Sequence, residues 1–305
     1  MTVRATRNKE HFEFVGAVDA DPALQGKDLG ELCGEAPDGV IVGNSIRGLL
    51  NRVQADAAVV TTVSSLAAVA ETIKEIVSCA VPVVTTCEEL AYPWRTAPRL
   101  AAEIDVAARR RGVAVVAAGV NPGFLMDFLP LVMSSICRNV EMVRISRVQN
   151  TAFRRPQFQY KVGVGMTQRE FEEKNNAGGF GHIGLPESMN MLADAFQWEL
   201  DRLENEVLPV LGDDGAVRGI CQKTAGFAGD KKKIELYFKA SDGEKAPHDQ
   251  IEITGEPSFV SRIDGGVNGD TASAAIVLNC AAALKRSSAG LHTMADFPVP
   301  YWNIR

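Results

Sequence analysis

Residues 81–90 read VPVVTTCEEL. The run opens on unbroken apolar, β-branched residues and closes on two acids. Such a run without alternation predicts a strand buried on both faces, the condition of a parallel sheet. Outward on either side the pattern changes period. AAVAETIKEIVSCA (67–80) and RTAPRLAAEIDVAARRRG (95–112) repeat apolar residues at helical spacing. The second ends in Arg-Arg-Arg-Gly, a helix stop. Further out lie more apolar runs: FEFVGAVD (12–19), ADAAVVTTVSS (55–65) and VAVVAAGVNPGF (113–124). The alternation predicts an α/β, doubly wound, Rossmann-like parallel sheet over residues 1–125. Ligands bind such sheets beyond the carboxyl ends of the strands, which here are Asp19 and residues 61–65, 85–89 and 119–123.

Residues 126–268 have another character. VEMVRISRVQNTA (140–152), QFQYKVGVGM (157–166), KKIELYFKAS (232–241), DQIEITGEP (249–257) and SFVSRIDG (258–265) read as strands. QREFEEK (168–174) and PESMNMLADAFQWELDRLENEV (186–207) read as helices. Alternation of apolar and polar residues predicts an α+β domain with a mostly antiparallel sheet covered on one face. Residues 269–305 supply an apolar helix over 270–290 and a tail returning to the first domain.

The 305 residues are 46% hydrophobic, carry a net charge of −6 and have a mean hydropathy of −0.02. That is ordinary for a water-soluble domain pair. KKK at 231–233 is too short for a nucleic-acid footprint. The longest strongly apolar run, VAVVAAGV at 113–120, is far below the roughly 20 residues of a membrane span. The N-terminus has no apolar segment of a secretory signal. The six cysteines form no C-x-x-C and no zinc spacing, so they read as reduced thiols of a cytoplasmic protein with no metal. No nucleic-acid or membrane partner is expected.

GFGHIG at 179–184 matches G-x-G-x-x-G, the dinucleotide fingerprint. The fingerprint must follow a strand and precede, by about 20 residues, an acid at the end of the next strand. Here it follows a helix end, and Glu204 falls inside a predicted helix. The match therefore reads as a glycine-rich loop capping the helix near Pro186. The acid a dinucleotide wants is Asp19, closing FEFVGAVD. A fingerprint about 20 residues earlier would lie at or before Met1, and RATRNKEHF (4–12) reads as the tail of the first crossover helix. The expected sheet thus lacks its first strand and its glycine-rich loop.

VGAVDADPALQGKDLGEL (15–32), VPVVTTCEELAYPW (81–94), AGVNPGFLMDFLP (118–130), the segment 161–196 and the segment 269–300 together resemble the 2,4-diaminopentanoate dehydrogenases and the related native amine dehydrogenases. These share the dihydrodipicolinate reductase type of architecture. The resemblance runs from Phe12 onward and implies reversible oxidative deamination of a small amine with NAD or NADP. It also implies a homodimer, and a GFGHIG loop near the substrate side. Two alternatives stay open: a truncated homologue that binds no dinucleotide, and an imine reductase. The four isolated histidines (His11, His182, His248, His292) argue against the reductase itself, which carries an adjacent His-His pair.

Several residues become candidates. Glu88 and Glu89 end the third run; adjacent side chains on a strand alternate in direction, so one of the two can face the cleft as a proton-handling carboxylate. The resemblance leans to Glu88. Asp19 is the ribose ligand, and its charge repels a 2′-phosphate, which favours NAD. Thr61, Thr62 and Ser64 either contact the cofactor or cap a helix. Asn121 either binds the nicotinamide carboxamide or the substrate, or simply turns the chain in Asn-Pro-Gly. Lys161 and His182 are candidate substrate contacts, with surface placement as the alternative.

Overall fold

The computed structural model of the chain describes residues 2–6, 12–152, 154–178 and 180–301. His11 and Gly179, the first glycine of GFGHIG, lie outside the described residues, as does part of the helix tail expected at 4–12. The chain forms two compact units. One contains residues up to 120 and those from 269 onward; the other contains 121–268.

The first unit begins with α1 (Thr2–Thr6), β1 (Ala17–Val18), α2 (Leu29–Leu32), β2 (Val42–Gly43), α3 (Ile46–Leu50) and β3 (Ala58–Val60). It continues with α4 (Leu66–Ser78), β4 (Val83–Thr85), α5 (Pro93–Thr96), α6 (Pro98–Arg111) and β5 (Ala114–Ala117). Gly112 ends α6 at φ +69°, a left-handed position that glycine adopts without a Cβ penalty. Val60, Val83, Val115 and Ala117 join Leu66, Val69, Ile73, Ile76, Ala101, Ile104 and Ala108 in one buried cluster, so α4 and α6 cover one face of the sheet. Val84 and Val116 alternate to the other face and are equally buried. Burial on both faces is why these strands read as continuous apolar runs.

The second unit carries α7 (Phe128–Ser134), β6 (Asn139–Asn150), α8 (Pro156–Lys161), α9 (Gln168–Asn176) and α10 (Leu185–Ala195). Then come β7 (Arg202–Leu211), β8 (Val217–Ala228), β9 (Lys231–Ser241), β10 (His248–Glu256) and β11 (Phe259–Asp264). Their sheet has the order β11-β10-β6-β9-β8-β7 and is antiparallel at every pairing except β6 with β9. The chain then returns to the first unit through α11 (Gly269–Ala283) and β12 (Gly290–His292). The four-stranded sheet there runs β12-β5-β4-β3, all parallel. β1 and β2 pair in parallel with each other as a separate two-stranded sheet. Helix α11 lies against β3 and β4 and buries Ala274, Val277 and Leu278.

Two predicted elements are corrected. Residues 157–166, read as a strand, contain the short helix α8, with Lys161 as its last residue. Pro156 at its start pre-sets a helical φ, and Gly163 and Gly165 at φ +79° and +85° stop both helix and strand. The helix read over 186–207 ends at Ala195, and Glu204 lies in β7. Gln197 takes φ +56°, which breaks the helix, and β7 then pairs with β8 from Arg202 opposite Phe227 to Leu211 opposite Val217. The helical spacing of Leu200, Leu203 and Val207 was outweighed by that ladder of tertiary hydrogen bonds. Strands β2, β8 and β12 had no counterpart in the sequence reading.

Candidate functional site

In the first unit the polar side chains follow strand ends. Asp19 directly follows β1, and its backbone N–H donates to Gly43 O at 3.1 Å. Its Oδ1 accepts from Asp21 N at 2.8 Å, and Gln25 Nε2 donates to its carbonyl at 3.1 Å. The acid is thus held by its backbone at the end of a parallel strand. Thr61 and Thr62 follow β3 and are exposed; Ser64 is half-buried.

Glu88 and Glu89 open a short 3-10 turn, Glu88–Leu90, three residues beyond β4. This turn separates the two acids. Glu89 Oε2 accepts from Leu66 N at 2.7 Å, which caps α4, and Glu89 N donates to Ser64 O at 3.3 Å. Ser65, the residue before α4, makes no side-chain cap of its own. The Glu89 carboxylate therefore does the work of a helix cap. Glu88 is half-buried at the head of the turn. Cys87 is 1% exposed, its Sγ donates to Ser64 O at 3.1 Å, and burial pushes its thiol up to about 12. It is a packed, inert residue.

These are residue types that ribose and nicotinamide groups require, an acid after β1, hydroxyls after β3 and a carboxylate beyond β4, with β1 paired to β2 outside the sheet of β3 and β4. Among the described residues no G-x-G-x-x-G turn joins a strand of this unit to a helix, so the set contains no diphosphate loop.

In the second unit two candidates 61 positions apart meet. Asn121 Nδ2 lies 2.8 Å from His182 Nε2. The turn after Asn121 is fixed by buried Asp127, whose carboxylate accepts from Gly123 N at 2.7 Å, Phe128 N at 2.6 Å and Ser188 Oγ at 2.8 Å. The His182 ring stacks on Phe238 with centroids 4.4 Å apart. Burial, and then the charges of Lys161 and Arg147, push its pKa from 6.5 down to about 3. The imidazole is neutral at any ordinary pH. Lys161 enters this environment as a neighbouring charge from the end of α8.

The GFGHIG loop follows α9 and opens α10, not a strand. Gly184 at φ +99° is the cap position of α10, with Pro186 in its first turn. Gly181 has φ +120°, and a Cβ there would lie 2.8 Å from Gln222 Oε1. Gly181 and Gly184 serve backbone conformation and close approach to the sheet. Sequence reasoning missed the residues under the loop. Gln222 Oε1 accepts from His182 N at 2.8 Å, Gln222 Nε2 donates to Asn205 Oδ1 at 2.9 Å, and Thr224 Oγ1 donates to the same oxygen at 2.8 Å. One signal was present: Gln222 and Thr224 fall at the core parity of β8, where Ile220 is fully buried. A polar residue at a core position asks for a partner.

Residues 124–304 match the family described as the 2,4-diaminopentanoate dehydrogenase C-terminal domain. The chain is 31% identical over 317 aligned residues to 2,4-diaminopentanoate dehydrogenase of Acetoanaerobium sticklandii, an alignment covering 96% of this chain and 88% of that protein. Among solved structures it resembles the amine dehydrogenase of Mycobacterium smegmatis, with a TM-score of 0.86 at 20% identity, covering 100% of this chain and 94% of that one. It also resembles a biliverdin reductase of Synechocystis, solved with biliverdin and NADP+, with a TM-score of 0.52 at 13% identity over 87% of this chain and 78% of that one. At these identities the two structures speak to fold. No helix among the described residues is long and apolar enough to cross a membrane.

Proposed function

The chain belongs to the 2,4-diaminopentanoate dehydrogenase family, and we propose that it catalyses the reversible oxidative deamination of a small primary amine with NAD or NADP. A protonated amine, the oxidised cofactor and water become a ketone, ammonium, the reduced cofactor and a proton. The nicotinamide supplies the hydride acceptor for the carbon bearing the amine. Everything else falls to the chain's own residues. Glu88 holds the substrate ammonium by charge and carries a proton at its carboxylate as the nitrogen changes protonation. Asp19 accepts the ribose hydroxyls, and Thr61, Thr62 and Ser64 are further contacts to the cofactor. Asn121 and Lys161, with His182 behind the Asn121 amide, are the candidate contacts to the amine or the carboxamide. The chain works in the cytoplasm as a homodimer.

The observation that supports this reading most is the split of the Glu88–Glu89 pair. Glu89 is engaged at the α4 N-terminus, a structural task, and Glu88, to which the family resemblance leans, stands half-buried at the head of the turn. The family relative named above acts on 2,4-diaminopentanoate, so that diamino acid and simple primary amines are the substrates to assay. The expected result is amine-dependent reduction of the nicotinamide, with NAD+ preferred over NADP+ because a carboxylate at position 19 repels a 2′-phosphate. Tighter binding of NADP+ overturns the preference, and no reduction with any amine overturns the activity. Cofactor binding is the premise to check first, against the alternative of a homologue that binds no dinucleotide. Quenching of reduced-nicotinamide fluorescence on titration decides between them.

A further inference from the structure

Asn121 is 9% exposed, and its Oδ1 is shielded from solvent with no hydrogen-bond partner. An acceptor left unmet in a buried place is costly, so it asks for a donor. Its amide nitrogen faces His182 Nε2 at 2.8 Å. An amide N–H₂ can only donate, so Nε2 carries the lone pair and the imidazole proton sits on Nδ1. This fixes which end of the amide stays open: the oxygen.

The imidazole is in turn fixed by two cross-strand neighbours. Gln222 on β8 stands opposite Phe238 on β9. Phe238 takes the face of the ring, at 14° between planes. Gln222, 4% exposed, accepts the backbone N–H of His182. Its own amide is locked by donating to Asn205 Oδ1, an oxygen that Thr224 Oγ1 also holds. Gly181 lets the loop descend onto Gln222, since any Cβ there meets Gln222 Oε1 at 2.8 Å.

We propose that Gln222, seated by Asn205 and Thr224, is the positioning residue of a relay in which it fixes His182, His182 fixes the Asn121 amide, and Asn121 Oδ1 accepts an N–H from the bound ligand. The ligand group is an ammonium or amine of the substrate, or the carboxamide of the nicotinamide; both present the same donor. The choice of ligand rests on the amine dehydrogenase reading, while the relay itself does not.

The test pairs kinetics with a spectroscopic signature. Gln222→Met removes both hydrogen bonds at nearly constant volume, and Asn121→Ala removes the acceptor. Each raises one binding constant about tenfold, the loss of roughly one hydrogen bond, with kcat within about threefold, the mark of lost ground-state binding. A rise in the amine KM names the substrate as the donor; a rise in the dinucleotide dissociation constant names the carboxamide. The double variant is no worse than Asn121→Ala alone, because both changes sever one relay. Thr224→Val, a milder change for use if Gln222→Met does not fold, moves the same constant by a smaller factor. Nitrogen NMR of His182 in the parent protein shows Nε2 unprotonated and Nδ1 protonated. Losses that multiply to about a hundredfold in the double variant, unchanged constants in Gln222→Met, or a proton on Nε2 overturn the proposal. A chain that turns over no amine defeats the functional reading, and the tautomer still decides the relay.

Discussion

In the first unit, Asp19, the hydroxyls of residues 61–64 and Glu88 follow β1, β3 and β4, so the backbone of the parallel strands sets where they stand. In the second unit, His182 stands where it does because Phe238, Gln222 and Asn121 hold it, and those three come from β9, β8 and a turn. One arrangement is carried by main chain, the other by side chains. Strand ends tolerate exchange of neighbouring side chains, since the sheet's hydrogen bonds survive it. A side-chain network has no such reserve, and each member removed leaves another group buried without its partner.

The largest expected contrast lies in stability. Arg147, 1% exposed, donates to Asp249 Oδ1 at 2.7 Å and also to Val267 O, and Asp249 Oδ2 accepts from Val267 N. Asp249→Ala strands the guanidinium and costs about 3–5 kcal/mol in urea unfolding. Asp19→Ala, at an accessible strand end, costs within about 0.5 kcal/mol. Equal losses break the comparison.

A smaller effect concerns pH. His182 is held near pKa 3 in the folded protein against 6.5 in an ordinary setting. Between those values the unfolded chain binds the extra proton, so stability falls as pH drops from about 6.5 toward 3 and is level above that window. His182→Phe removes this contribution. The difference in unfolding free energy between parent and variant then shrinks steadily across the window on acidification. A difference that stays constant from pH 7 to pH 4 shows that the ring titrates freely. The smallest effect is at the helix cap: Glu89→Ala lowers stability by about 1 kcal/mol through the α4 N-terminus, seen as a shift in the midpoint of thermal unfolding.

The sequence reading succeeded where one structural cause governs a stretch. VPVVTTCEEL shows its double burial directly, and α4 and α6 show their period. It failed where causes compete. Residues 157–161 alternate like a strand, yet Pro156 and the glycines that follow favour one helical turn. Residues 196–207 have helical spacing, yet a ladder with β8 makes them extended. The site divides in the same way. The place of Asp19 at a strand end is legible from the sequence alone. The roles of Glu88 and Glu89 could not be separated by strand alternation, because they sit in a 3-10 turn where that rule does not apply. Gln222 and Thr224 show in the sequence only as polar residues at core parity, because their partnership with Asn205 exists only through the register of β7 with β8 and the descent of the Gly181 loop.

The central claim is that the adjacent acids have separate tasks, and it is tested by steady-state deamination with Glu88→Gln and Glu89→Gln side by side. Glutamine at 88 keeps the shape and removes the charge and the proton site, so kcat falls by about 10²–10⁴. Glutamine at 89 still presents an oxygen to Leu66 N, so kcat stays within about threefold of the parent. Equal losses at both positions, or the larger loss at 89, contradict the account.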